Sequence, residues 1–217
     1  MMLVGDIVEE AVVGVGMAHT PEGLNAIHRP GCAAAIWNRQ MAPDLKDWVA
    51  GLDPKYLPQG RVVLHGDSVL EAVYQLCQIA GTPDDPERDL LVEDIADMSR
   101  LFSDLMAVHY MRMRLDVVTT NACRKFHIDS ILARMICTYR GTGTQYGIST
   151  DGEEPRRVFT VATGAPMVLR GTLWPDGSKS GLLHRSPPIE GTGETRLVLV
   201  LDPVNDLENR PVQRVYH

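Results

Sequence analysis

The sequence predicts an α+β protein in which a helical N-terminal layer precedes a C-terminal β-rich half built as a sandwich or barrel. Two amphipathic helical runs lie before residue 110, several short β-branched runs separated by Gly, Pro, Asp and Ser follow it, and strands do not alternate with helices. The 217 residues are 44% hydrophobic and 23% charged, enough to bury a sizeable core, and contain no internal repeat or clear linker. A single domain over 1–217 is expected, mostly helical over 1–110, β-rich over 111–203, with a tail at 204–217.

Residues 1–64 are mixed. Turns at HRPGC, GLDP and LPQG divide them, and Trp37 and Trp48 stand at a helix-compatible distance in AIWNRQMAPDLKDWVAGL, so short helices and an edge strand or two are expected. RVVLH, 61–65, reads as a short buried strand that stops at Gly66. Ser68 followed by Glu71 is a capping box, and VLEAVYQLCQIA keeps helical spacing until Gly81 stops it. Beyond TPDDPERD, a second and longer helix carries Leu91, Ile95, Met98, Phe102, Leu105 and Met106 on one stripe, with His109 and the nearby methionines as packing residues. MRMRLDVVTT alternates apolar and charged residues as a half-buried strand does, and ARMICTY, RRVFTVAT, APMVLRGTLW and TRLVLVLD are further strands. YRGTGTQYG lacks the Lys-Ser/Thr pair of a phosphate loop, and no helix follows it. It reads as a connection in which Gly141 and Gly143 supply backbone freedom near the mouth of a site.

A formal charge of −7 offers no basic field for a phosphate backbone, so nucleic acid is not an expected partner. No apolar run approaches the ~20 residues that span a bilayer. The opening MMLVGDIVEEAVVGVGMAHT has no basic n-region and carries Asp6, Glu9 and Glu10, unlike a signal peptide. A cytoplasmic location follows as the expectation, with no membrane partner and with Cys32, Cys77, Cys123 and Cys137 reduced. Ser186 lies in HRSPP and not in G-x-S-x-G, which argues against a serine hydrolase.

The chemistry concentrates after residue 120. In extended backbone His127 and Asp129 share a face, and with the distal His184 they form two imidazoles and a carboxylate, the set that leaves coordination positions open on non-haem Fe(II). Arg196, in TRLVLVLD, places a guanidinium in a following strand, where its fork suits a carboxylate. His-x-Asp, a distal His and an Arg in the last strand together resemble the Fe(II)/2-oxoglutarate-dependent dioxygenases. That resemblance implies a double-stranded β-helix (jelly-roll or cupin-like) core, iron on His127, Asp129 and His184, and 2-oxoglutarate on Arg196. The substrate, a small molecule or a macromolecular side chain, stays open. A closer resemblance covers most of the chain, from the first tryptophan region to Asp202. C-x2-F-H-x-D, TYRG-G-T and HRSPP are similar to the motifs of a bacterial domain-of-unknown-function family, and no activity comes with that match.

Two departures keep alternatives open. The oxygenase family often has Ser or Thr two residues after its Arg, whereas this chain has Val198; Thr138, Tyr139 or Tyr146 can supply the hydroxyl. Cys123, at i−4 from His127, would join the same face of an unbroken strand. Cys123, His127, Asp129 and His184 would then close a tetrahedral Zn(II) site in a non-catalytic protein. Against that stands the tendency of a free Cys to pack as a hydrophobe. Arg134 lies among apolar neighbours, where an unpaired charge is unfavourable; it touches substrate, braces Asp129 or emerges at a sheet edge, and Tyr139 is the other candidate for a substrate contact.

Overall fold

The computed structural model describes residues 12–151 and 153–204. Strand β1 (Gly14–Ala18) pairs in parallel with β2 (Cys32–Trp37), and a 3-10 helix, Pro21–His28, connects them. In CAAAIW the small residues Ala33, Ala34 and Ala35 are fully buried, because this strand is covered on both faces. The expectation of helix around the two tryptophans therefore needs correction. Trp37 ends a strand, and Trp48 lies in helix α1 (Pro43–Gly51), which starts at Pro43 because proline's fixed φ suits the first helical turn.

Strand β3 (Gly60–His65) forms as expected, but at the outside of its sheet. Val62 and Val63 remain 38% and 40% exposed, so RVVLH is an edge strand and not a buried one. Helix α2 (Val69–Ala80) ends where Gly81 takes a left-handed conformation and its N–H returns to the carbonyls of Cys77 and Gln78. The capping box does not form. A 3-10 turn, Gly66–Ser68, runs directly into the helix, and the Ser68 side chain makes no cap bond. Helix α3 (Pro86–Met106) buries Leu91, Ile95, Met98, Phe102 and Leu105 along one face, as the stripe predicts.

The remaining strands are β4 (Tyr110–Val118), β5 (Ala133–Arg140), β6 (Gln145–Ile148), β7 (Phe159–Thr160), β8 (Met167–Arg170), β9 (Leu182–Arg185) and β10 (Arg196–Val204). A seven-stranded sheet runs β1-β2-β8-β5-β10-β4-β3, and a three-stranded sheet runs β7-β6-β9. The N-terminal part thus supplies both outer strands of the large sheet as well as its helical cover. Alternation on β4 and β10 decides which face meets what. Met111, Met113, Leu115, Leu197, Leu199 and Leu201 enter the core shared with the helices. Val198, Val200 and Ile136 look the other way and pack with Leu182 and Tyr146 from the small sheet. At roughly 1.5–3 kcal/mol per fully buried large apolar side chain, both layers contribute strongly to holding the large sheet in place. The functional residues lie in the space between the two sheets.

Candidate metal centre

Residues 119–132 join β4 to β5 without forming a strand, yet His127 is held as firmly as a strand residue. Its N–H donates to the His184 carbonyl at 3.1 Å, and the His184 N–H donates back to the His127 carbonyl at 3.0 Å. This single bridge lies on the free edge of β9 and brings the two imidazoles to 4.5 Å between centroids. Asp129 is fixed through its backbone. The Thr172 N–H donates to the Asp129 carbonyl at 2.9 Å, and Gly171 and Leu173 donate to Leu132 and Ile131. Gly171 permits this close approach: a Cβ there would sit 2.0 Å from the Ile131 carbonyl oxygen.

The side chains converge. One donor atom from each of His127, Asp129 and His184 lies within 4.8 Å of the others. His127 Nδ1 lies 2.8 Å from the Lys125 carbonyl, a bond that puts the proton on Nδ1 and leaves the Nε2 lone pair facing Asp129 Oδ1 at 3.6 Å. His184 is 6% exposed; burial pushes its pKa down against the opposing pull of Asp129, with His127 and Arg134 adding to the lowering, so its ring favours the neutral, metal-binding form. For Asp129, burial works to raise the pKa, but His184, Arg134 and His127 outweigh it and hold the carboxyl at about 2. Asp129 Oδ2 is buried, with Arg134 Nη1 at 2.7 Å and His184 Nε2 at 3.1 Å, yet neither contact meets hydrogen-bond geometry, so the oxygen has no hydrogen-bond partner among the described residues. Two imidazoles and an ionised carboxylate with an unused buried lone pair fit a divalent transition metal.

Arg134 braces this carboxylate. It bridges Asp129 to Asp202, donating from Nε and Nη2 to the Asp202 oxygens at 2.6 and 2.9 Å. Arg196 is 1% exposed, and no carboxylate lies within ion-pair distance of it among the described residues. Its Nε donates to the Thr142 carbonyl at 2.6 Å and its Nη2 to Thr138 Oγ1 at 3.4 Å. Burial pushes its pKa down to about 10, with Glu194 acting in the opposite direction. The Gly141–Gly143 segment is part of this support. Thr142 donates from its backbone N–H and hydroxyl to Glu194 at 2.6 and 3.0 Å, and Gly141 has φ of 78° with the Arg196 side chain close against it. Thr138 faces Val198 across the β5–β10 ladder, so the hydroxyl missing from position 198 is provided by the neighbouring strand.

A cavity of about 180 Å³ is lined by His127, His184, Arg134 and Arg196 together with Val198 and Val200. Cys123 also lines it, but is exposed and stands outside the converging donor set, because the turns of residues 119–126 break the strand that would have aligned it with His127. Tyr139 lies on the other face of the sheet. It donates to Asp94 Oδ2 at 2.6 Å inside the helix-facing core, where Arg39 grips the same carboxylate at 2.5 and 2.7 Å. Asp202 and Gly171 were not among the expected site residues. Alternation in RLVLVLD puts Asp202 on the Arg196 face, whereas no local pattern marks Gly171.

Residues 18–202 match the model of a protein family described as "Protein of unknown function (DUF1826)". The chain belongs to this family. No curated protein sequence matches it. Among solved structures it is similar to the dioxygenase for auxin oxidation 1 from Arabidopsis thaliana in complex with 2-oxoglutarate, with a TM-score of 0.56 and 12% identity over 92% of this chain and 95% of that one. The rice dioxygenase for auxin oxidation gives a TM-score of 0.49 at 14% identity, covering 90% of this chain and 83% of that one. A Pseudomonas putida prolyl-4-hydroxylase gives 0.43 at 12% identity, covering 86% and 100%. The similarity at a TM-score of 0.56 and the two sheets together give the DUF1826 chain a jelly-roll core under a helical layer, as the sequence predicts.

Proposed function

We propose that this DUF1826 protein is an Fe(II)- and 2-oxoglutarate-dependent oxygenase. One observation carries the reading: His127 and His184, which converge with Asp129, share a cavity with Arg196, a buried guanidinium that has no carboxylate of its own among the described residues. His127 and His184 would offer their Nε2 atoms and Asp129 an oxygen to iron, while Arg134 holds that carboxylate in place. Bound Fe(II) supplies the redox chemistry with dioxygen. Arg196 would receive the distal carboxylate of 2-oxoglutarate in its fork, helped by the Thr138 hydroxyl; the Thr142 carbonyl and Glu194 fix the angle of approach. Val198, Val200 and Ile136 keep the wall between metal and cosubstrate dry, which strengthens each charged contact there.

An anaerobic titration of metal-free protein with Fe(II) and then 2-oxoglutarate, followed by visible absorption, tests this. A metal-to-ligand charge-transfer band that needs both additions supports it. Tight Zn(II) binding that depends on Cys123, with no such band, would replace it with the four-ligand zinc reading.

A further inference from the structure

On the face of the large sheet that looks toward the metal centre, two arginines stand directly opposite each other. Arg61 of β3 and Arg114 of β4 are register partners. Like charges placed this way destabilise a sheet. Arg61 is exposed and reaches Asp116 Oδ1 at 3.3 Å, which relieves part of its charge. Arg114 has no such relief. It is half-buried, its Nε is buried without a hydrogen-bond partner among the described residues, and no ion pair to it is found there. The acids near enough to act on it are already engaged, Asp202 by Arg134 and Asp116 by Arg61. Burial and the nearby Arg134 push the Arg114 pKa down, with Asp202 and Asp116 acting in the opposite direction.

The surroundings repeat the pattern. Arg61, Arg114, Arg134, Arg185 and Arg196 all line the metal-site cavity, and a second cavity of about 460 Å³ shares Arg61, Arg114 and Arg134 with it. In a chain of formal charge −7, a cationic patch of this density is a local arrangement and not a reflection of composition. Arg134 and Arg196 have roles above, and Arg185 donates to Gln145 Oε1 and stacks over Phe126. Among the described residues, Arg114 is left as the cation whose hydrogen-bonding capacity is unspent where the two cavities meet.

We propose that Arg114, assisted by Arg61, binds the acidic group, carboxylate or phosphate, of an anionic small-molecule substrate. The metal-site cavity would then take the carbon end of that molecule, an assignment that rests on the oxygenase reading, whereas the anion site does not.

Side-chain Nε–H signals of arginine in the 15N-labelled full chain provide the test, with the Arg114 signal identified by its loss in Arg114→Gln. The probes are phenylacetate, inorganic phosphate and the neutral phenylacetamide. The expected result is that phenylacetate or phosphate shifts the Arg114 signal and phenylacetamide does not, with the responding probe showing which acid is preferred. Arg114→Gln should weaken that binding roughly tenfold or more and leave 2-oxoglutarate affinity unchanged. It should melt no lower than wild type, because it removes an unpaired charge. The proposal is overturned if neither acid shifts Arg114, if Arg114→Gln binds both as wild type does, or if it melts well below wild type. A loss of 2-oxoglutarate binding in Arg114→Gln but not in Arg196→Gln would also overturn it, making Arg114 the cosubstrate anchor. Anion binding at Arg114 in a chain that binds no 2-oxoglutarate would overturn the oxygenase reading alone.

Discussion

Arg134 touches two carboxylates at once, and its loss should be felt twice. Arg134→Gln leaves Asp129 and the buried Asp202 without their cation, and breaking a buried pair this way is expected to destabilise the fold by about 3–5 kcal/mol. Because Asp129 also loses its brace, divalent-metal affinity should fall about 10–100-fold. Urea unfolding and a chelator competition measure the two effects separately. The cysteines give a second test at this scale. Cys123 is exposed, whereas Cys32, Cys77 and Cys137 are buried, and burial pushes the Cys137 thiol up to about 12. Iodoacetamide at neutral pH should therefore modify Cys123 first, as read by peptide mass spectrometry, and the modified protein should keep its metal affinity. A large loss of affinity would return Cys123 to the ligand set.

At the scale of elements, the site depends on backbone approaches that only glycine permits. A Cβ at Gly171 collides with the Ile131 carbonyl and comes within 2.9 Å of that of Asp129. Gly171→Ala should therefore cost about 1–3 kcal/mol and weaken metal binding, while leaving Arg196, the proposed 2-oxoglutarate anchor, in place. Circular dichroism melting and metal titration of the variant check this. The same segment shows where the sequence is legible. Period-two alternation in RLVLVLD and MRMRLDVV sorts the helix-facing residues from the site-facing ones, because both strands lie inside a sheet with different neighbours on each face. His127 and Asp129 do converge, but through a bridge to His184 and a clasp from the 171–173 turn, long-range contacts that no local pattern encodes. For the same reason Tyr139 carries no local sign of its place. Its neighbour Thr138 faces the cavity wall, and the pleat sends Tyr139 to Asp94 on α3. CAAAIW forms a strand although alanine is a good helix former, because it is buried on both sides.

For the whole molecule, the large sheet is the shared wall of two compartments, one packed and one functional. Leu199 sits in the packed one, fully buried on β10, the strand that also carries Arg196 and Asp202. Leu199→Ala should destabilise the protein by about 2–5 kcal/mol and, through the displaced strand, weaken 2-oxoglutarate binding more than metal binding, since the proposed cosubstrate anchor is on β10 and the proposed metal ligands are not. Denaturant unfolding and paired ligand titrations measure this. Helical cover is equally part of the design: Arg39, Asp94 and Tyr139 tie α3 to β5 and to the turn before β8, through Arg39 and the Gly164 carbonyl. Among the described residues no helix is long and apolar enough to cross a membrane.

The strand order also governs the sequence of events in folding. β10, the last described strand, is inserted between β4 and β5 and pairs with both, with Arg196 opposite Val118 roughly eighty residues earlier in the chain. Until β10 arrives, β4 and β5 have no partner between them and the sheet stays split. The ribosome must therefore release nearly the entire described chain before the two halves join, leaving helices and unpaired edges waiting in the meantime. The strand that closes this gap delivers Arg196 and Asp202 together, so the proposed cosubstrate anchor and the acid that holds Arg134 against Asp129 are assembled in the same late step that makes the fold whole.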